Sequence, residues 1–186
     1  MSFSFERLEI PEVVKITPTR HGDERGFFSE TYRASAFQEA GVLDTFVQDN
    51  HARSTRGVLR GLHFQAPPRP QAKLVRVIHG EVFDVAVDLR VGSRTFGGWV
   101  GGILSGEVGA ILYIPCGFAH GYLCLSEMSE LAYKVSAEFD VALDRGIAWD
   151  DPAIGVDWPC VDPILSERDK GLPVLSDANS PFRCLE

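Results

Sequence analysis

The chain has 186 residues, 45% of them hydrophobic and 24% charged, with a formal net charge of -8. That length suits one core-bearing domain, and the composition is that of an ordinary globular protein rather than a disordered or membrane-spanning chain. The acidic balance argues against general binding to nucleic acid or to an anionic membrane, since both need a basic surface, but it leaves room for a few arginines to form a local anion pocket.

Residues 1–20 alternate weakly, with Val13, Val14 and Ile16 between polar neighbours, and predict an extended lead-in, an edge strand ending near Pro18. Gly22 and Gly26 punctuate a turn before Phe27 and Phe28. Residues 35–42 (SAFQEAGV) predict a short helix capped by Ser35 and stopped by Gly41. From Thr45 to about Ser136 the chain reads almost entirely as β. VLRGLHF, KLVRVIHG, EVFDVAVDLR, WVGGILS, AILYIP, HGYLCLS and LAYKVSA are short, rich in branched and aromatic residues, and separated by Gly, Pro or Ser. Strands so evenly spaced predict a barrel or jelly roll. In EVFDVAVDLR, Phe83, Val85, Val87 and Leu89 share one face, while Asp84, Ala86 and Asp88 share the other. This fits a wall between core and pocket, or equally a strand with one solvent-facing side. The C-terminal part is loop-rich and Pro-bounded, and ILSERDKGLP reads as a short helix or turn with Ser166 as cap. Internal repeats, low-complexity tracts and linkers are lacking.

GAILYIPCGFAH (109–120) carries the spacing of the second cupin motif in Gly109, Pro115, Gly117 and His120. The first-motif positions, where cupins usually hold metal ligands, correspond to His63, Gln65 and Lys73. A lysine ammonium has no free lone pair, so it ligates metals poorly at neutral pH. Cys116, Cys124, Cys160 and Cys184 lack CxxC spacing, which disfavours zinc ribbons and thioredoxin-like motifs. The pattern points to a metal-type pocket turned to acid–base chemistry, with no bound metal expected. No apolar signal-type run opens the sequence, so a reducing, cytoplasmic setting is expected.

A closer resemblance covers nearly the whole chain. DERGFFSE, QDNHARSTRGVLRGLHFQ, QAKLVRVIHGEVFDVAVDLRVGSRTFGGWVG, IPCGFAHGYLCLSE, YK at Tyr133–Lys134, IAWDDPAIGVDWP and LSERDKGLP occur in the order seen in the dTDP-4-dehydrorhamnose 3,5-epimerase family, which the chain resembles. The resemblance implies a mainly β fold: a single cupin-type jelly-roll β-barrel domain over residues 1–186, with short C-terminal helices. It implies a homodimer in which an N-terminal arm, residues 1–30, crosses to the partner. The implied reaction inverts C3 and C5 of a dTDP-sugar, dTDP-4-dehydro-6-deoxy-D-glucose, to give dTDP-4-dehydro-L-rhamnose. No metal or redox cofactor is expected, because the substrate's C4 ketone acidifies both neighbouring positions.

Epimerisation beside a ketone needs a base, a partner for the enolate oxygen and an acid on the opposite face. Histidine titrates near neutral pH, and the resemblance assigns the base to His63. Alone, His63 reads better as a bonded core histidine; within RGLH the base reading wins. By the same resemblance Asp169 orients His63, although its spacing alone suggests a surface aspartate. Lys73 faces the enolate oxygen, and its position at the start of an apolar strand favours a pocket over a solvated surface. Tyr133 is the proton donor; without the family context a core tyrosine is an equal reading. For recognition, Arg25 and Arg60 neutralise the diphosphate with guanidinium forks, and Lys170 reaches a phosphate. Gln48 and Asn50 supply neutral hydrogen bonds, Glu30 accepts from the thymine N–H, and Phe28 and Phe139 stack on the base. Phe139 stands where the family often has tyrosine, and Asp144 where glutamate is common. Arg25, Lys170 and Asp144 also read as ordinary surface charges. His120 becomes a sugar or phosphate contact oriented by Asp84. The competing readings are an epimerase acting at C3 or C5 only, a non-catalytic nucleotide-sugar-binding cupin, and a metal-dependent cupin oxygenase.

Overall fold

A computed structural model describes residues 2–184. The N-terminal stretch forms strands β1 (Phe3–Arg7) and β2 (Val14–Pro18), then a hairpin of β3 (Arg20–Asp23) and β4 (Gly26–Ser29). One short helix follows, α1 (Ala34–Glu39). The barrel strands come next: β5 (Gln48–Thr55), β6 (Leu59–Gln65), β7 (Lys73–His79), β8 (Glu81–Asp88), β9 (Trp99–Ser105), β10 (Ile111–Ile114), β11 (Phe118–Cys124) and β12 (Met128–Val135). A three-residue strand, β13 (Asp144–Gly146), and two single-turn helices, α2 (Glu167–Lys170) and α3 (Leu175–Ala178), complete the chain.

The strands build two facing sheets, ordered β1-β2-β10-β7-β12-β5 and β13-β6-β11-β8-β9, with antiparallel neighbours throughout. This is the expected cupin-type jelly roll. Alternate side chains of each strand point to opposite faces, and three apolar clusters result. Val75, Val77, Leu112, Ile114 and Leu131 of the first sheet meet Val82, Ala86, Val100, Leu104 and Phe118 of the second in the interior between them. Phe37 of α1 packs with Ile16, Leu74 and Ile111 on the outside of the first sheet. The C-terminal residues Ile147, Ile154, Trp158 and Phe182 cover the outside of the second, against Leu62, Val85 and Val87.

Several local expectations need correction. The N-terminal lead-in supplies two strands: β1 is the edge, and β2 lies between β1 and β10. Of residues 1–30, Phe3–Pro18 thus belong to the barrel sheet, and only the β3–β4 hairpin stands apart as a two-stranded sheet. In α1 the N-cap is Arg33, and Ser35 lies inside the first turn without a capping bond. Gly41 does end that helix, in the left-handed region at φ +90 that glycine enters without a Cβ clash. In β8 neither face meets solvent: Val85 and Val87 lie under the C-terminal covering, while Val82 and Ala86 join the interior cluster. Asp84 and Asp88 are both fully buried. Asp84 is bonded to His120, and Asp88 to Arg90, Ser93 and Thr95. Ser166 caps α2 as expected, accepting from the Asp169 N–H.

Candidate active site

On the side of edge strands β5 and β13, the apolar interior gives way to a cavity of about 580 Å³. Polar residues on the inward faces of β5, β6, β7 and β12 line it. Strand β6 contributes Arg60, His63 and Gln65. A regular strand would put Arg60 and His63 on opposite faces, because they are three residues apart. Instead, Tyr122 of β11 pairs with Arg60 and His120 with His63, so Gly61 and Leu62 together oppose Gly121 alone. This bulge turns both side chains to the cavity. It depends on two glycines: a Cβ on Gly61, at φ +146, would sit 2.6 Å from the Gly121 Cα.

The His63 imidazole Nε2 is 2.6 Å from Oδ1 of Asp169, which α2 presents from a buried position. The carboxylate accepts the Nε2 proton, which leaves the other ring nitrogen with a free lone pair. Burial lowers the His63 pKa below the usual imidazole value, and the Asp169 bond offsets this only in part. Burial pushes Asp169 upward, but the bond and charge of His63 outweigh it and hold the carboxyl below its usual range. At neutral pH the pair is therefore neutral imidazole and carboxylate, the form a base requires.

Lys73, the first residue of β7, is buried, and its ammonium donates to the backbone carbonyl of His63 at 3.0 Å. Burial brings its pKa down to about 8, opposed by the nearby charges of Asp144 and Asp84. Tyr133 projects from β12, where its register partners are Asn50 on β5 and Val75 on β7. Burial raises the phenol pKa, so it keeps its proton. His120 Nε2 lies 2.9 Å from Asp84 Oδ2, as expected for an oriented imidazole. Gln48 donates to Asn50 at 2.8 Å, and its side-chain oxygen accepts the Phe139 N–H at 2.8 Å. Gln65 and Gln71 also bond the 137–140 backbone, so the loop bearing Phe139 is fixed at the rim.

The cavity thus gathers ten of the expected residues: His63, Lys73, Tyr133, Asp169, Gln48, Asn50, Arg60, His120, Phe139 and Asp144. Four others do not line it in this chain. Arg25 pairs with Asp23, Glu30 lies 3.5 Å from Arg33, and Phe28 is 73% exposed. Lys170 pairs with Glu167 at 2.6 Å on the outer side of α2. Arg25 and Phe28 lie on the hairpin, whose strands β3 and β4 pair only with each other. Other lining residues were not anticipated, Arg168 and Tyr122 among them. Arg168 stands beside Asp169 in the SERDKG segment, and Tyr122 lies two residues beyond His120 on the same strand face. Strand alternation was the available signal for Tyr122; only the fold reveals Arg168.

Among the described residues, no three His, Cys, Asp or Glu side chains form a metal-binding group. A neutral base, a buried ammonium and a protonated phenol around one cavity are the components of proton transfer through an enolate.

The family model for dTDP-4-dehydrorhamnose 3,5-epimerase matches residues 7–177. A Pseudomonas aeruginosa protein of that name is 53% identical over 175 residues, spanning 93% of this chain and 96% of its own. A solved dTDP-6-deoxy-D-glucose-3,5-epimerase of Legionella pneumophila, in complex with dTDP-4-keto-L-rhamnose, superposes with a TM-score of 0.95 at 45% identity, covering 99% of this chain and 100% of that one. A 3'-monoepimerase of Streptomyces bikiniensis, in complex with dTDP-quinovose, gives a TM-score of 0.86 at 34% identity, covering 92% of this chain and 87% of that one. In sequence and fold alike, this chain belongs to the dTDP-4-dehydrorhamnose 3,5-epimerase family.

Proposed function

We propose that this enzyme inverts both C3 and C5 of dTDP-4-dehydro-6-deoxy-D-glucose, giving dTDP-4-dehydro-L-rhamnose. The observation that carries the reading is the His63 imidazole, held by Asp169 in a cavity that also contains Lys73 and Tyr133. His63 takes the proton from the carbon beside the ketone, and the C–H electron pair moves into an enolate. The Lys73 ammonium faces the enolate oxygen; a preorganised charge there is worth about 3–4 kcal/mol in comparable sites. The Tyr133 hydroxyl donates a proton to the carbon on the other face; water then takes the proton held by His63 and returns one to Tyr133, which resets both groups. The same sequence at the second carbon completes the inversion. Arg60 neutralises the diphosphate, while Gln48, Asn50 and Phe139 hold the nucleotide and His120 contacts the sugar.

The active unit is a homodimer located in the cytoplasm. The β3–β4 hairpin, with Phe27 61% and Phe28 73% exposed, supports this reading: its aromatic and charged residues, Arg25 among them, together with Glu30 just beyond β4, would complete a partner's cavity. Light scattering should give twice the 20.5 kDa chain mass. A monomer that turns over substrate at full rate would refute the dimer.

The similarity to a 3'-monoepimerase keeps single-centre inversion as a second reading. Incubation with the dTDP-ketosugar in deuterated water, followed by product NMR, decides between them. Deuterium at both C3 and C5 with L configuration supports the double epimerase. Deuterium at one carbon means a mono-epimerase, and tight binding without any uptake means a binding protein.

A further inference from the structure

The carboxylate that holds the base is carried on a strap. Ile164 is anchored to the barrel by backbone bonds with Gly57 (2.8 Å) and Leu59 (3.0 Å), and Pro173 by its carbonyl, which accepts from Ala148 at 2.8 Å. Between these anchors, among the described residues, the backbone bonds of Leu165–Leu172 are internal to the segment. Among the described residues, two polar side-chain links span from the middle of the strap to the barrel, beside the apolar packing of Leu165. One is Asp169 to His63. The other is Arg168 Nη2 to Asp144 Oδ2, at 2.7 Å. Asp144 lies on β13, which pairs directly with β6: Asp144 opposes Gln65, and Gly146 opposes His63 itself. The ion pair therefore ties α2 to the strand adjoining the base, one residue from the carboxylate that orients it.

We infer that Asp144 is a positioning residue: through Arg168 it clasps the α2 strap and so holds Asp169 in register with the His63 imidazole. This deepens the functional reading above and rests on it for the role of His63. The charged and titratable groups around His63 are Asp169 and Arg168 on α2, Lys73 on β7, His120 opposite it on β11, and Asp144 on β13. A half-exposed ion pair adds little to overall stability. Its consequence is geometric, and misplacement by about 1 Å near reacting groups can cost about a hundredfold in rate.

The test compares wild type, Asp144→Asn, Asp144→Glu, Asp169→Asn and the double variant Asp144→Asn/Asp169→Asn. In the ligand-free enzymes, NMR titration follows the His63 imidazole; with substrate, solvent deuterium exchange and the dissociation constant of dTDP are measured. Asp144→Asn should lower the His63 pKa, because the imidazole loses the closely held carboxylate, and should slow exchange by about ten- to a hundredfold with dTDP affinity little changed. Asp144→Glu keeps the carboxylate and should restore both. In the Asp169→Asn background, removing the Asp144 carboxylate should have no further effect on either readout, since coupled residues are not additive. If the Asp144→Asn loss persists in full in that background, or appears as weaker dTDP binding, Asp144 acts on Lys73 or on substrate directly and the inference fails. An unmoved His63 titration also overturns it. Absence of exchange in the wild type would refute the functional reading alone, because the titration needs no substrate.

Discussion

His63 and His120 are direct cross-strand partners on β6 and β11, and the Nε2 atom of each is held by a different carboxylate, Asp169 for one and Asp84 for the other. Two imidazoles side by side resemble half of a cupin metal site, but here each is committed to its own acid. One becomes an oriented base and the other a fixed hydrogen-bonding group. Lys73, 7% exposed, stands where a further ligand would be expected and adds a positive charge near His63.

Replacing the base should separate binding from chemistry. His63→Asn leaves a neutral amide of similar size that cannot accept the proton, so deuterium wash-in should fall by about 10²–10⁴-fold. Isothermal titration with dTDP should show binding close to that of the wild type. Near-normal exchange would remove His63 from the mechanism.

Tyr133→Phe tests the second half of the reaction. His63 can still withdraw and return a proton on its own face, so exchange should continue at a reduced rate. Net inversion, which needs the proton on the opposite face, should drop by about a hundredfold or more. Equal losses in exchange and inversion, measured by NMR on the same sample, would make Tyr133 only part of the cavity wall.

The pH dependence follows from two burial effects. His63 must be neutral, and burial lowers its pKa, so kcat/KM should rise with pH through a value below the usual imidazole range. Lys73 must be protonated, and its pKa is brought down to about 8, so the rate should fall as the pH rises past that point. Tyr133, shifted upward, keeps its proton across this window. A kcat/KM profile flat from neutral pH to pH 10 would rule out Lys73 as the charge facing the enolate. Lys73→Met should cost about 10²–10³-fold in kcat, as losing an oxyanion partner does.

The bulge that joins Arg60 and His63 in one cavity depends on close backbone approach. Gly61→Ala would place a methyl 2.6 Å from the Gly121 Cα in a left-handed backbone. Strain and overpacking together should destabilise the fold by about 2–4 kcal/mol. Thermal melting checks this; an unchanged midpoint would mean that the strands can part without cost.

Much of this protein was legible in its residues. Runs such as KLVRVIHG and EVFDVAVDLR fold as β7 and β8 because branched residues with period-two alternation bury well on a pleated sheet. Asp169 came only from the family resemblance, since its spacing alone suggested a surface aspartate, whereas Ser166 followed from its capping chemistry. Strand β5 was less visible: its inward face carries Gln48, Asn50 and Ser54, polar because it lines the cavity, so the apolar rhythm is missing. The Arg168–Asp144 pair and the shared facing of Arg60 and His63 were beyond sequence reading. Each depends on contacts between segments distant in the chain, and a one-residue bulge reverses every facing that alternation predicts. Local propensity determined which segments became strands; only the packing of the two sheets and the strap across their edge decided which side chains share the cavity, because that depends on long-range register rather than on neighbouring residues.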